Sequence, residues 1–297
     1  MRLVPALGTT LASLLALSFA SPWDARAQSL LWSYQGVENV VCIAVTPDLD
    51  GDGVADVAFD SYDAGPSGVD HLFCVSGASS GAGSLVWSAR PLGGPSNSGG
   101  YGDACVRVGP DLTGDGVADL LYGAAWGSRT AFALDATDGS TFWKFDSYAQ
   151  SPPVPPESGW VYAMESLGQD LTGDGYPEIA FCLGGMNYRV YCANGRTGAI
   201  LWSHYYGGAI VDLHSITDLN GDGTRDVVVA LQDAVAGVGA LSGANGATIW
   251  TKSAGSCQSI VVLPDLNADG KDEVVGACWD ASIHCYSGAN GAVLWNG

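Results

Sequence analysis

Basic residues are scarce in this 297-residue chain: 11 Lys and Arg stand against 31 Asp and Glu, a formal charge of −20. A protein that grips phosphate backbones needs the opposite balance, so nucleic acid is excluded as a partner. Long apolar runs are missing beyond residue 27, where nothing approaches the ~18 uninterrupted apolar residues of a membrane helix. No amphipathic helical period appears there either. Histidine occurs only at 71, 204, 214 and 284. None of the four sits in HExxH, and no GxSxG elbow exists. The eight cysteines include no paired CxxC elements, which speaks against a zinc site.

Residues 1–27 read as a secretory signal: Arg2, an apolar stretch from Leu11 to Ala20, then Ala25-Arg26-Ala27 as an A-x-A cleavage site. The mature chain is expected to begin at Gln28, secreted or periplasmic or at the cell surface. Without the leader, 9 basic residues face 30 acidic ones, a charge of −21. In an exported chain, eight Cys point to disulfides. Cys182 with Cys192, and Cys278 with Cys285, each flank a short turn and could close a hairpin. Cys42, Cys74, Cys105 and Cys257 have no assignable partner, and buried free thiols are the alternative for all eight.

The acid is concentrated in one phrase, Asp48-Leu-Asp50-Gly-Asp52-Gly-Val-Ala-Asp56, which returns from Asp111, Asp170, Asp218 and Asp265. Sixteen of the 31 carboxylates occupy positions 1, 3, 5 and 9 of these phrases. Oxygens at that spacing, with Gly at position 6 to turn the chain, suit a hard cation. EF-hands share the spacing but need a bidentate Glu at position 12. Here that position holds Phe59, Tyr122, Phe181, Val229 and Gly276, so a loop feeding a strand is expected instead. The competing reading is a set of metal-free Asp/Gly turns.

A second phrase closes each unit, as in Ala133-Leu-Asp135-Ala-Thr-Asp-Gly139-Ser-Thr-Phe-Trp143, with Gly four residues before Trp. Counterparts end at Trp202, Trp250 and Trp295, a variant ends at Trp87, and Trp32 ends a bare strand. Successive Trp lie 55, 56, 59, 48 and 45 residues apart. Each unit contains four short strands, and a repeat of that size with four strands is a propeller blade. Runs such as Val227-Val228-Val229 and Ile179-Ala180-Phe181 suit central strands covered on both faces.

The expected fold is therefore an all-β propeller of four-stranded blades over residues 28–297. Five repeats are recognisable, at about 33–87, 88–143, 144–202, 203–250 and 251–295, either complete or part of a larger six- to eight-bladed ring. The Trp32 strand is then the outer strand of a closing blade or an accessory.

The five D-x-[DTN]-x-D-G-x-x-[DE] phrases resemble the FG-GAP/VCBS repeats of integrin-alpha-type β-propellers. That resemblance implies about five Ca²⁺. Side-chain ligands would be Asp48, Asp50, Asp52, Asp56; Asp111, Thr113, Asp115, Asp119; Asp170, Thr172, Asp174, Glu178; Asp218, Asn220, Asp222, Asp226; and Asp265, Asn267, Asp269, Glu273. Carbonyl ligands would be Val54, Val117, Tyr176, Thr224 and Lys271. The fifth loop departs with Ala268 at position 4 and Glu273 at position 9. The Trp phrase is similar instead to the tryptophan-docking motif of quinoprotein-like propellers, where it locks blade to blade. The dehydrogenases of that group use a vicinal Cys pair that this chain does not have.

A binding or scaffold module follows from this reading, directed at an extracellular protein or carbohydrate. The alternative is a calcium-dependent polysaccharide lyase or another glycan-active propeller, built on insertions at Tyr62 to Asp70 or Gln150 to Trp160. Trp126, Trp160 and Trp279 fall outside the docking phrase and are the free candidates for ligand stacking. Asp212 and His214 lie on an innermost strand that is expected to face the channel. As a catalytic pair they would need a geometry that spacing cannot supply.

Overall fold

The computed structural model describes residues 30–37, 39–61, 69–91, 105–125, 128–147, 158–233 and 237–297. The leader, Trp126 and most of both insertions fall outside these residues. The described residues form only strands and turns, and no helix is long and apolar enough to cross a membrane.

Five four-stranded antiparallel sheets follow one another along the chain. The first consists of β2 (Val40–Val45), β3 (Val57–Ser61), β4 (Leu72–Val75) and β6 (Leu85–Ala89). The second runs β7 (Val106–Val108), β8 (Leu120–Gly123), β9 (Thr130–Leu134) and β10 (Thr141–Asp146). The third runs β11 (Val161–Ser166), β12 (Ile179–Leu183), β13 (Arg189–Ala193) and β14 (Ile200–Tyr205). The fourth is β15 (Ile210–Ile216), β16 (Asp226–Leu231), β17 (Gly237–Leu241) and β18 (Thr248–Ser253). The fifth is β19 (Cys257–Leu263), β20 (Glu273–Cys278), β21 (Ser282–Ser287) and β22 (Val293–Asn296).

A sixth sheet, beyond the five repeats expected, is the parallel pair of β1 (Trp32–Ser33) with β5 (Gly81–Ala82). The Trp32 strand thus lies along the long turn of the first repeat. Short strands like these pair only where a neighbouring face shelters them, and Trp32 and Tyr34 pack over Phe59, Phe73 and Val75.

The first strand of each blade lies against the first strand of the next, from β2 through β7, β11 and β15 to β19. These strands therefore line a channel. Central strands are covered on both faces, and every residue of β9, β12, β16 and β17 is buried. Cores lie between successive blades: Leu72, Cys74 and Trp87 meet Val106, Tyr122 and Phe132, and Trp143 and Phe145 meet Met164 and Phe181. Each blade also has a register shift where its third strand meets the Trp strand, as between Cys192 and Ala193 or Ala240 and Leu241. Such bulges add local twist.

The cysteine expectations are corrected. Cys42 joins Cys105, and Cys257 joins Cys278, while Cys74, Cys182, Cys192 and Cys285 are free and buried. Cys182 and Cys192 sit on adjacent strands but out of register, since Cys182 faces Val190 and Ala180 faces Cys192. Cys278 faces Cys257 directly, whereas Cys285 faces Val275.

Candidate functional site

Each acidic phrase folds as a loop between the first two strands of a blade, and its carboxylates organise the backbone. The first Asp accepts N–H groups from positions 4 and 6: Gly51 and Gly53 donate to Asp48 at 2.7 and 2.8 Å. The same pattern recurs at Asp111, Asp170, Asp218 and Asp265. The N–H of Gly53, Gly175 and Gly270 is the largest influence holding Asp48, Asp170 and Asp265 below the ordinary carboxylate range. Position 5 caps position 7, with Val54, Val117, Tyr176, Thr224 and Lys271 donating to Asp52, Asp115, Asp174, Asp222 and Asp269.

Position 9 is different because it is buried. Asp56, Asp119, Glu178, Asp226 and Glu273 accept the N–H of position 2, as Leu49 donates to Asp56 at 2.8 Å and Leu219 to Asp226 at 2.6 Å. Burial pushes Asp119, Asp226 and Glu273 up. In the three Asp the other oxygen accepts from the docking turn: Gly77 donates to Asp56 at 3.1 Å, Ala136 to Asp119 at 3.4 Å and Gly243 to Asp226 at 3.0 Å.

A second tie was not read from the sequence. Ser76, Asn194, Ser242 and Ser287 donate to the position-5 carboxylates Asp52, Asp174, Asp222 and Asp269. Their signal was a Ser or Asn directly before the docking Gly in four of the five blades.

The docking turn then receives the Trp of the preceding blade. Trp87, Trp143, Trp202 and Trp250 donate through Nε1 to the carbonyls of Ala136, Gly195, Gly243 and Gly288 at 2.7–2.8 Å. Gly198 lies against the ring. Its φ is +71°, and a Cβ there would come within 2.9 Å of Trp143. Loop, turn and Trp form one joint between blades.

The oxygens these loops would offer a cation are unequal from blade to blade. In the first, Asp48, Asp50 and Asp56 bring carboxylate oxygens within 4.8 Å of one another. In the fifth, Glu273 Oε2 is buried with no hydrogen-bond partner, an arrangement that a cation would complete.

Around the channel runs a belt of charged groups from three blades. Arg107 on β7 pairs with Glu165 on β11 and reaches Asp212 Oδ1 on β15 at 3.1 Å and the Leu213 carbonyl at 3.0 Å. His214 Nδ1 lies 2.8 Å from Glu165 Oε2. Asp212 continues the belt into the fifth blade, accepting Ser259 Oγ and the Ile260 N–H at 3.1 and 3.0 Å. Burial raises the Glu165 carboxyl, but the His214 hydrogen bond and the charges of His214 and Arg107 outweigh it and hold the group low. The Asp212 Oδ2 to His214 Nε2 distance is 3.9 Å, so these two do not form the hydrogen-bonded dyad that a triad requires.

Beside the belt opens a cavity of about 640 Å³ whose lining includes apolar Ile43, Val45, Val106 and Val108 and polar Arg107, Glu165, Ser166 and His214. Elsewhere, Trp160 packs edge-on to Tyr162, and Trp279 is 70% exposed.

A family model described as outer membrane protein assembly factor BamB matches residues 127–297, more than half of the chain. The chain belongs to that family. The FG-GAP/VCBS, integrin-alpha-like assignment is thereby corrected: the matched region holds the docking phrases ending at Trp143, Trp202, Trp250 and Trp295. The acidic phrases are a local turn chemistry carried on this framework.

Solved structures agree on the fold. BamB from Moraxella catarrhalis matches at 15% identity with a TM-score of 0.51, over 91% of this chain and 65% of that one. A quinohemoprotein alcohol dehydrogenase from Comamonas testosteroni gives 14% identity and a TM-score of 0.60, over 91% and 44%. Sqt1 from Saccharomyces cerevisiae gives 13% and 0.59, over 89% and 62%. The chain thus spans under two thirds of each of these three proteins. No curated protein sequence matches it.

Proposed function

We propose that this BamB-like propeller is a protein-binding scaffold of the periplasm that works in outer membrane protein assembly. The family match supports the class, and the channel-mouth cavity carries the reading. A lining that mixes apolar and charged side chains, beside a belt that spans four blades, suits an extended polypeptide segment with both kinds of side chain. The family match offers no argument for a carbohydrate ligand or for lyase chemistry.

A photocrosslinking residue at Val108, which is 38% exposed beside the cavity, tests this in intact cells. It should capture a component of outer membrane assembly, whereas the same residue at Trp279 should not. A folded, periplasmic variant that captures no protein from Val108 would sink the proposal.

We also propose that the loops bind Ca²⁺, with the first the tightest because it has four carboxylates. The convergence of Asp48, Asp50 and Asp56 and the orphaned Glu273 oxygen support this. Calorimetric titration of chelator-treated protein tests it, and absence of any heat of binding at millimolar Ca²⁺ would refute it.

A further inference from the structure

A buried cluster at the first joint between blades holds more chemistry than a disulfide needs. Cys42 on β2 and Cys105 just before β7 are 63 residues apart in the chain, and the bridge between them ties the first blade to the second. Asp60 faces Cys42 across β2 and β3. One of its oxygens and the two sulfurs all lie within 4.8 Å of one another, and all three residues are buried. No such group surrounds the other bridge, Cys257 to Cys278, among the described residues.

His71 stands beside the carboxylate. Its Nδ1 is 3.1 Å from Asp60 Oδ1, and the Tyr122 hydroxyl donates to the same oxygen at 3.1 Å. The other ring nitrogen, Nε2, is buried with no hydrogen-bond partner, an unmet cost in a side chain shut away from water. Two thiolates, a carboxylate and an imidazole are the donors of a closed zinc site. With Zn–S near 2.3 Å and Zn–O or Zn–N near 2.0–2.1 Å, tetrahedral ligands sit about 3.3–3.8 Å apart. Once the sulfurs separate, shifts of about 1 Å bring this cluster to that spacing.

We propose that the reduced chain binds one Zn²⁺ here through Cys42, Cys105, Asp60 and His71, so that the first joint has two alternative locks, a disulfide or a metal. A dithiol opens the bridge: its two hydrogens pass to the sulfurs of Cys42 and Cys105, and it leaves as its own disulfide. Zinc then displaces the two thiol protons to solvent, while Tyr122 holds the Asp60 carboxylate in orientation. The four ligands come from separate segments of two blades, so no CxxC pair announces the site.

The full exported chain tests this, opened with a phosphine until thiol titration shows both bridges reduced. The phosphine takes an oxygen from water and leaves the two hydrogens on the sulfurs, and it competes for zinc far less than a dithiol does. Equilibrium dialysis against micromolar Zn²⁺ should load one ion more on the reduced chain than on the oxidised one. Co²⁺ in its place should give the charge-transfer band of a two-thiolate site, and Cys42→Ser should abolish it. Asp60→Asn and His71→Gln should each weaken zinc binding about ten- to hundredfold. Zinc should also raise the melting temperature of the reduced wild type or, where reduction alone unfolds it, restore the fold. A reduced wild type that takes up no extra zinc and gains no stability from it would overturn the proposal. So would a cobalt band that Asp60→Asn and His71→Gln leave unchanged, because it would place the metal on other thiols.

Discussion

Replacing Trp143 with Phe isolates the hydrogen bond on which the blade joint depends. Trp143 is 7% exposed, its Nε1 donates to the Gly195 carbonyl at 2.7 Å, and its ring lies against Gly198. Phe keeps an aromatic ring but cannot donate, so it leaves a buried carbonyl unpaired at a cost of about 1–3 kcal/mol. The smaller ring also opens a void, adding about 1 kcal/mol. A total near 3 kcal/mol corresponds to a fall in melting temperature of roughly 6–12 °C for a domain of this size class. Trp295→Phe is the internal control. It removes the same atoms from an exposed indole that no acceptor among the described residues reaches, so its effect should stay within about 0.5 kcal/mol. Differential scanning calorimetry of the two variants beside wild type reads the contrast directly. Equal shifts would refute the reasoning, because they would show that Trp143 contributes only what any surface aromatic does.

Other outcomes follow from the same structure. Cys42→Ser with Cys105→Ser should cost about 4 kcal/mol and Cys257→Ser with Cys278→Ser about 3 kcal/mol in denaturant titrations, as expected for separations of 63 and 21 residues. Gly243→Ala should lower the melting temperature more than Gly53→Ala, because its Cβ meets the Arg225 carbonyl oxygen at 1.9 Å while Gly53 has open space around it. In calcium-free buffer, stability should fall as pH drops below about 4. The depressed carboxyls of Asp48, Asp170 and Asp265 stabilise the fold above the unfolded value near 3.9 and lose that contribution as they protonate. The raised groups Asp119, Asp226 and Glu273 act with opposite sign, so the melting temperature should hold or rise slightly before that fall. Adding Ca²⁺ at twenty times a site's dissociation constant should raise stability by about 1.8 kcal/mol per site, and Asp48→Asn should remove the first site's share.

How much of this was legible in the sequence depends on whether the signal was local. The Trp–Gly spacing is fixed along the chain, and so are the buried runs at Val227–Val229 and Ile179–Phe181, so blades and their joints could be read directly. Cysteine pairing depends on cross-strand register. Cys182 and Cys192 look like hairpin partners by count, yet a shift of two residues sets Cys182 opposite Val190. The bonded pair Cys257 and Cys278 lies on a strand pair closed by a full acidic loop. The channel belt was hidden for the same reason. Arg107, Glu165 and Asp212 are far apart in the chain and meet only because three first strands align around one axis.

The family assignment failed for a different physical reason. An Asp/Gly loop satisfies its own backbone: Asp48 binds Gly51 and Gly53 without help from any neighbouring blade. Such a motif can be carried by unrelated frameworks, and its fivefold recurrence counts repeats without naming the fold that bears them. The docking phrase has meaning only between blades, because Trp143 has no acceptor until Gly195 is brought to it from 52 residues away. A motif whose partner is distant constrains the whole architecture. It is therefore the better guide to kinship, even where a self-contained motif is more conspicuous.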